Sequence, residues 1–183
     1  KGSSVLRKKQ SGDLIDVLGP LGVPFSLFED DFDTGVLVGG GLGVAPLPIS
    51  TATLVARQKS VSTFIGSRSK RQLVKNHLVN VHVATDDGTE GLHGTAVDLL
   101  KKHSDEYRYR RPKIFACGPT KMLHAVAAFA IANSIPCEVS LEGPMACGFG
   151  ICQGCPVELV GAERKYALMC KEGPTFDVRR IRI

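Results

Sequence analysis

Four cysteines in the last quarter of the chain constrain its fold more than any other feature. Cys147, Cys152 and Cys155 follow a C-x4-C-x2-C spacing, and Cys170 lies fifteen positions further on. Glycines stand between the first three, where a loop that wraps a metal centre must turn sharply. This is the spacing of plant-type [2Fe–2S] sites, in which thiolates hold both irons. The sequence therefore predicts that these four cysteines bind such a cluster.

Structural zinc and disulfide bonds are the alternatives. Zinc sites usually show paired C-x2-C knuckles, whereas one half of this set is a single cysteine. A disulfide framework is disfavoured because no signal-peptide pattern is evident in these 183 residues. The two further cysteines, Cys117 and Cys137, also lie in apolar surroundings. A non-enzymatic zinc-binding module stays open as an alternative to an electron-transfer protein.

Strand and helix patterns alternate upstream of the cysteines. Apolar runs predict five strands, near residues 35–38, 62–66, 79–84, 113–116 and 137–141, with helices near 46–57, 94–103 and 121–133. Thr120 is the expected N-cap of the last helix. Such alternation implies a parallel sheet with right-handed crossovers. The predicted fold class is α/β, a five-stranded parallel doubly wound nucleotide-binding domain with a small C-terminal [2Fe–2S] module and a short β remnant at the N-terminus.

The loop after the first predicted strand has the composition of a phosphate-binding loop. A strand, a glycine-rich loop and a helix together present backbone N–H groups and a helix N-terminus to a phosphate. The spacing departs from G-x-G-x-x-G, because Val44 stands where the last glycine is expected. The candidate contacts in this loop are Gly39, Gly40, Gly41, Gly43 and Pro46.

Polar residues follow the next strands. Ser67, Arg68, Lys70 and Arg71 come after the second strand, and Asp86 comes after the third, where a doubly wound sheet has its ligand crevice. Cations there would meet a ribose 2′-phosphate and favour NADP, or they are solvated charges at a helix start. The residues that end the fourth strand in the same crevice are Cys117, Gly118 and Pro119.

The histidines and the N-terminal residues suggest less chemistry. His82 lies within a strand and is predicted to be structural, and the other histidines show no metal-ligand spacing with one another. Residues 1–28 are predicted to be the tail of a β-rich domain, with a strand at 14–18.

The distribution of charge and of apolar residues excludes two kinds of partner. Basic residues are scattered with few aromatic neighbours, which argues against nucleic-acid binding. The longest apolar run is shorter than a membrane span.

Together these motifs resemble the iron–sulfur electron-transfer subunits of bacterial dihydroorotate dehydrogenase, a branch of the ferredoxin–NADP reductase superfamily. The matching segments are residues 19–22, 39–46, 85–88, 117–119 with Met122, 140–142, 145–148 and 170–174. The resemblance implies that the loop glycines line the dinucleotide pyrophosphate. It also implies that Asp86 and residues 117–119 border the nicotinamide and flavin rings, and that the four cysteines hold the cluster.

The same resemblance implies cofactors and partners. The cofactors would be a [2Fe–2S] cluster, FAD and NAD, with NADP as an alternative, and electrons would pass from a catalytic dihydroorotate dehydrogenase subunit to NAD+ in cytoplasmic pyrimidine biosynthesis. Lys1 to Leu6 resembles the end of the family's flavin phosphate loop, so Gly2, Ser3 and Ser4 are candidate FAD contacts, although the Arg-containing FAD motif is not seen. A hydrogenase, a sulfite reductase or a ferredoxin:NADP transhydrogenase are alternative partners.

The predicted division of the chain has three parts. Residues 1–28 would be the remnant of a flavin-binding β-barrel, residues 29–142 the nicotinamide-nucleotide-binding domain, and residues 143–183 the cluster-binding module. FAD binding is expected of a complete protein with the whole barrel and is less expected of these residues alone.

Overall fold

The structure is a computed structural model that describes residues 2–108 and 110–183, with side chains described from Ser4 onward. The strands of this part of the chain are β1 (Thr34–Gly40), β2 (Ser60–Ser67), β3 (Val81–Thr85), β4 (Leu92–His93), β5 (Pro112–Cys117), β6 (Cys137–Ser140), β7 (Pro156–Glu158), β8 (Tyr166–Leu168) and β9 (Thr175–Asp177). Its α-helices are α1 (Gly2–Leu6), α2 (Leu47–Ala56), α3 (Ala96–Lys102), α4 (Thr120–Ala132) and α5 (Met169–Glu172).

Seven of these strands form one sheet in the order β4-β3-β2-β1-β5-β6-β9. Every neighbouring pair is parallel except β6 and β9, which are antiparallel. The chain starts the sheet at β1, builds outward through β2 and β3, and returns to the other side of β1 with β5. This reversal of direction opens a crevice at the carboxyl ends of the strands on either side of β1.

Both faces of the sheet are covered by apolar packing. Val36, Val38 and Phe64 contact the layer formed by α3 and α4. Leu37 and Ile65 point the opposite way, into a second cluster with residues of α2 and the segment before β1. Successive side chains of a strand alternate between faces, so β1 contributes to both cores and is fully buried along its length.

The five strands and the α/β fold class predicted from the sequence are confirmed, but the predicted strand count is too low. β4 is only two residues long, and β9 comes from the segment after the cysteines. β9 extends the sheet by pairing Val139 with Phe176, and a separate β7–β8 hairpin packs beside it. Residues after 142 therefore complete the central sheet as well as forming the cysteine loop.

Two local predictions are wrong. Residues 14–18 form no strand, and Leu14 is 89% and Val17 84% exposed. A strand needs a hydrogen-bonded neighbouring strand, and residues 14–18 have none among the described residues. Further along the chain, Val23 forms an isolated bridge with Pro174. Thr120 is the first residue of α4 rather than its N-cap, which is Pro119 without a side-chain hydrogen bond.

No described helix has the length and apolar character that crossing a membrane requires.

Candidate functional site

The four cysteines come from one loop and one short helix. Cys147, Cys152 and Cys155 lie on the loop between β6 and β7, and Cys170 lies in α5. Cys155 and Cys170 are buried, Cys147 is half-buried and Cys152 is exposed. The thiols of Cys147 and Cys152 interact, as do those of Cys155 and Cys170, and Cys147 acts electrostatically on Cys170. The structure therefore brings all four predicted ligands into one group.

Backbone N–H groups surround Sγ of Cys147. The N–H of Cys152 donates to Sγ of Cys147 at 3.4 Å, and those of Phe149 and Ile151 also point to it. Because hydrogen bonds to the thiolate favour its charged form, they lower the pKa of Cys147 to about 6. A thiolate, not a thiol, is the metal ligand, so Cys147 is suited to bind metal at neutral pH.

The two buried cysteines, Cys155 and Cys170, have a different environment. The N–H of Cys170 donates to Sγ of Cys155 at 3.5 Å. Hydrogen bonding with the Cys155 thiol, and then burial, raise the pKa of Cys170. Two thiols this close repel each other as thiolates, and a bound cation removes that repulsion. An all-sulfur donor set with N–H groups aimed at the sulfurs fits an iron–sulfur cluster.

Backbone turns hold the cysteine loop in shape. Gly148 and Gly150 have φ angles of +79° and +92°, a region that side chains other than glycine rarely occupy. The Nε2 of Gln153 donates to the carbonyl of Gly150 at 2.8 Å, which closes the loop across its middle. Glycine at these two positions was expected from the sequence, whereas the Gln153 contact was not.

Helix α5 is fixed by a carboxylate that the sequence did not single out. Glu172 accepts hydrogen bonds from the N–H of Leu168 and from Nη1 of Arg164, each at 2.6 Å. These bonds set the orientation of the four-residue helix that carries Cys170. The signal in the sequence is weak, because Arg164 and Glu172 are eight positions apart in an irregular segment.

A second candidate site lies at the carboxyl ends of β1, β2 and β3, in a cleft of about 930 Å³. Six of the predicted cofactor contacts line it, namely Gly40, Gly41, Ser67, Arg68, Asp86 and Pro119. Thr95 and Ala96 at the start of α3, together with Arg71 and Met122, line it as well. Of these, Arg71 was expected at the crevice from the sequence, and Thr95 could have been found from it, since Thr95 follows Gly94 at the start of a predicted helix.

Two glycines of the first loop face this cleft in different ways. Gly41 has a φ of +55°, and a Cβ built on it would meet no atom within 4 Å, so a ligand can approach the backbone there. A Cβ on Gly40 would lie 2.6 Å from Sδ of Met122, so Gly40 allows the loop to pack against α4. A glycine loop with one open position fits a bound pyrophosphate.

The other predicted contacts of this loop lie behind the cleft. A Cβ on Gly43 would lie 2.2 Å from the carbonyl oxygen of Cys117, and one on Gly39 would lie 2.8 Å from Leu47. Both glycines therefore serve close packing, and their role in contacting a cofactor stays a prediction. Cys117 is buried, burial raises its pKa, and neither it nor Gly118 or Pro46 lines the cleft.

The loops that carry Arg68 and Asp86 are joined by backbone bonds. The N–H of Asp86 donates to the carbonyl of Ser67 at 3.0 Å, and that of Asp87 to the carbonyl of Arg68 at 3.2 Å. The hydroxyl of Thr89 donates to Oδ1 of Asp87 at 2.6 Å. The cationic side chain of Arg68 and the acidic side chain of Asp86 are thereby held on one rim of the cleft.

Of the three predicted FAD contacts, the structure describes the environment of one. Ser4 is exposed on α1, whereas the surroundings of Gly2 and Ser3 lie outside the described part of the chain. The described residues before β1 form a helix, turns and an isolated bridge, with no barrel strand among them. The FAD contacts therefore stay predictions.

The sheet order, the cleft and the cysteine loop together define the class of ferredoxin–NADP reductase-like proteins with an iron–sulfur module. A solved structure described as an NADH-dependent reduced ferredoxin-NADP oxidoreductase matches all of this chain and 65% of its own, with a TM-score of 0.83 and 30% identity. The family model described as the iron–sulfur cluster binding domain of dihydroorotate dehydrogenase B matches residues 142–182.

Curated relatives narrow the class. The electron transfer subunit of dihydroorotate dehydrogenase B (NAD(+)) from Geobacillus kaustophilus is 38% identical over 181 residues, covering 96% of this chain and 68% of the relative. The subunit of the same name from Bacillus caldolyticus matches with the same identity and coverage. This chain belongs to the family of dihydroorotate dehydrogenase B electron transfer subunits.

Proposed function

We propose that this protein carries electrons between a catalytic dihydroorotate dehydrogenase subunit, bound to it in a heterocomplex, and NAD+. The observation that supports this most is the presence of a group of four cysteines and a nucleotide-sized cleft in the same fold. Family membership adds the dehydrogenase as partner and pyrimidine biosynthesis as the setting. A cytoplasmic location is part of the same proposal.

The cysteine loop is the proposed [2Fe–2S] site, with Cys147, Cys152, Cys155 and Cys170 as its ligands. The N–H groups that point at Sγ of Cys147 favour the Cys147 thiolate and stabilise negative charge at that position. Exposure of Cys152 places the loop at the protein surface, where a partner can approach it. When bound, the cluster supplies one-electron transfer.

The cleft at the carboxyl ends of β1, β2 and β3 is the proposed nicotinamide-nucleotide site. Gly40 and Gly41 would approach the pyrophosphate, and Arg68 and Arg71, which line the same cleft, would meet a ribose or its phosphate. The relatives' names favour NAD, and the two arginines are the reason to test NADP beside it. FAD is the third proposed cofactor, with Gly2, Ser3 and Ser4 among its proposed contacts. The proposed domain limits stay 1–28, 29–142 and 143–183.

One experiment tests the central proposal. Anaerobically purified protein is assayed for iron and acid-labile sulfide and mixed with FAD, the catalytic dehydrogenase subunit of a relative, dihydroorotate and NAD+, because a flavin has to convert one-electron transfer from the cluster into two-electron reduction of NAD+. About two irons per chain, as this cluster type requires, with NADH formed only when both subunits are present, is the expected result. A colourless protein that holds one zinc would reject the electron-transfer proposal.

A second candidate function is supported by the fold comparison. The solved structure with a TM-score of 0.83 is described as a ferredoxin-NADP oxidoreductase, so a ferredoxin-linked complex is the alternative. Reduced ferredoxin would then replace dihydroorotate as the electron source. NADH formation from reduced ferredoxin, and none from dihydroorotate with the dehydrogenase subunit, would favour this alternative.

A further inference from the structure

Two histidines and one glutamate meet at the edge of the sheet, away from the cysteine loop. His82 is on β3, His103 follows α3 directly, and Glu106 ends the short 3-10 turn at 104–106. Nε2 of His82 lies 3.2 Å from Oε2 of Glu106, and Nδ1 of His103 lies 2.6 Å from Oε1. One potential ligand atom from each residue lies within 4.8 Å of the other two. We propose that these three residues bind one divalent transition-metal ion, with zinc as the reference ion.

The donor set selects the class of metal. Two imidazoles and one carboxylate are the protein ligands of open zinc sites, in which water takes the fourth position. Imidazole also suits copper and nickel, whereas calcium and magnesium prefer sites made of oxygen ligands alone. The site therefore takes a zinc-type ion rather than a hard cation.

Packing holds the ligands in place before any ion binds. The Phe64 ring stacks on His82, with ring centroids 4.9 Å apart and planes 13° from parallel. Tyr107, next to Glu106, is buried, contacts Phe64 edge-on at 5.8 Å, and donates from its hydroxyl to the Leu100 carbonyl at 2.6 Å. These contacts fix the end of α3 against β3. Ligands whose positions are set by packing lose less freedom on binding a metal.

The site is open enough for an ion to enter. The side chains of His82 and His103 are 23% and 25% exposed. Both also line a surface cleft of about 720 Å³ that runs along β3 and β4. A metal site needs such an entry path, and the cleft leaves space for a water ligand beside the protein ligands.

Charged residues around the surface cleft along β3 and β4 lower the affinity for a metal ion without changing its three protein ligands. Lys75 lines the cleft but is paired with Glu90 at 2.5 Å. Asp105 and Arg108 lie next to the site on the same turn and approach each other at 3.9 Å. Lys102 also lines the cleft and opposes a cation there. Glu106 is the one carboxylate within contact of both histidines among the described residues.

The proposed site is separate from the nucleotide cleft. His82 precedes Thr85, the last residue of β3, by three positions, which is about 10 Å along a strand. The nucleotide cleft lies beyond that end, at Asp86. A metal at His82 would join β3 to the end of α3, so its binding would stabilise this edge of the sheet against unfolding.

Zinc binding to the cluster-loaded full chain tests the proposal by isothermal titration calorimetry, with the visible spectrum recorded to show that iron is not displaced. We expect one zinc per chain beyond the cluster. Outer-shell changes at metal sites cost 10–100-fold in affinity, so His103→Ala and Glu106→Gln, which remove ligands, should each cost on the order of 100-fold or more. His124→Ala, which removes an exposed histidine on α4, should leave the affinity unchanged.

Copper provides an independent measurement. Cu²⁺ bound to the full chain should show nitrogen hyperfine splitting from two imidazoles in its electron paramagnetic resonance spectrum, and His103→Ala should reduce this to one. Equal zinc affinity in the parent chain, His103→Ala and Glu106→Gln, or no zinc binding below about 1 mM, which is the weak end of specific affinity, would overturn the proposal. The side chain of Glu106 is 47% exposed, so Glu106→Gln should disturb the packing little. If His103→Ala does not fold, the zinc affinity of Glu106→Gln tests the proposal alone.

Discussion

Cys152 is the exposed member of the cysteine group, so its role can be tested with little disturbance of packing. Cys152→Ser should abolish the cluster, because a serine hydroxyl is a poor substitute for thiolate. Iron and sulfide per chain, measured after anaerobic purification, should fall from about two to near zero. Cys137→Ala is the matched control, since Cys137 is buried in the core and lies outside the group. Full iron content in Cys152→Ser would reject Cys152 as a ligand.

Gly41 allows a second test at the residue scale. Gly41→Val places a branched side chain in the space where the proposed pyrophosphate approaches, and should weaken NADH binding at least about tenfold, or ~1.4 kcal/mol. Gly161→Val is the control, because Gly161 also has a positive φ, +71°, and no atom within 4 Å of a built Cβ. Backbone strain is then common to both variants, and only Gly41→Val should lose affinity in a fluorescence titration. Equal losses would place the nucleotide elsewhere.

Single residues differ in how far the sequence predicts their role. The grouping of the cysteines was predictable, because the spacing of Cys147, Cys152 and Cys155 within one loop is typical of a cluster site; their role as ligands stays a prediction. The glycine loop was predictable as a whole, but not which glycines face the cleft, since Gly43 is set by contact with Cys117 from another strand. His82 and His103 are 21 positions apart, so only the fold reveals that they meet.

At the scale of the element, two threonines near helix starts behave differently. Thr95 caps α3, with its side chain accepting from the N–H of Asp98 and Asp98 accepting in return, whereas Thr120 makes no capping bond. Thr95→Ala should destabilise the protein by about 1 kcal/mol, as loss of an N-cap does. Thr120→Ala, the matched control, should stay within about 0.5 kcal/mol. Urea unfolding at neutral pH measures both, and equal effects would contradict the assignment of the cap to Thr95.

The elements that the sequence predicted share one property. Each of the five predicted strands is a run long enough to show a buried pattern, and β1 and β5 are buried at every residue. β4 and β9 have two and three residues, too few for any periodicity. Residues 14–18 have the apolar composition of a strand, but a strand forms only beside a partner, which sequence patterns do not provide.

At the scale of the whole molecule, segments from both ends of the chain attach to the same strand. β9 pairs with β6, and Ser26 donates from its N–H to Oε2 of Glu138 on β6 at 2.9 Å. The proposed cluster module and the segment before β1 are therefore both bonded to the proposed nucleotide-binding domain. These contacts predict that the described parts unfold together rather than as separate domains.

Lys113 joins the segment before β1 to strands β5 and β6. Its ammonium group is buried on β5 and lies 2.5 Å from Glu29, 3.3 Å from Glu138 and 3.6 Å from Asp31. Lys113→Met should destabilise the protein by roughly 2 kcal/mol at neutral pH, less than a fully buried pair because the acids other than Glu138 are exposed. Lys75→Met is the control, since Lys75 also contacts a carboxylate at 2.5 Å but is 48% exposed, and it should cost under about 1 kcal/mol.

The same cluster sets a pH dependence. The hydrogen bond from Lys113 lowers the pKa of Glu29 below its usual 4.5, so Glu29 favours the folded state above that pH. This contribution is lost as pH falls from 4.5 through the lowered pKa of the folded state, because the unfolded state then binds more protons. Unfolding free energy measured between pH 6 and pH 3 should therefore fall less steeply in Lys113→Met than in the parent chain. Parallel pH profiles would show that Glu29 and Lys113 are not coupled in solution, and would leave the Ser26–Glu138 hydrogen bond as the contact between this segment and β6.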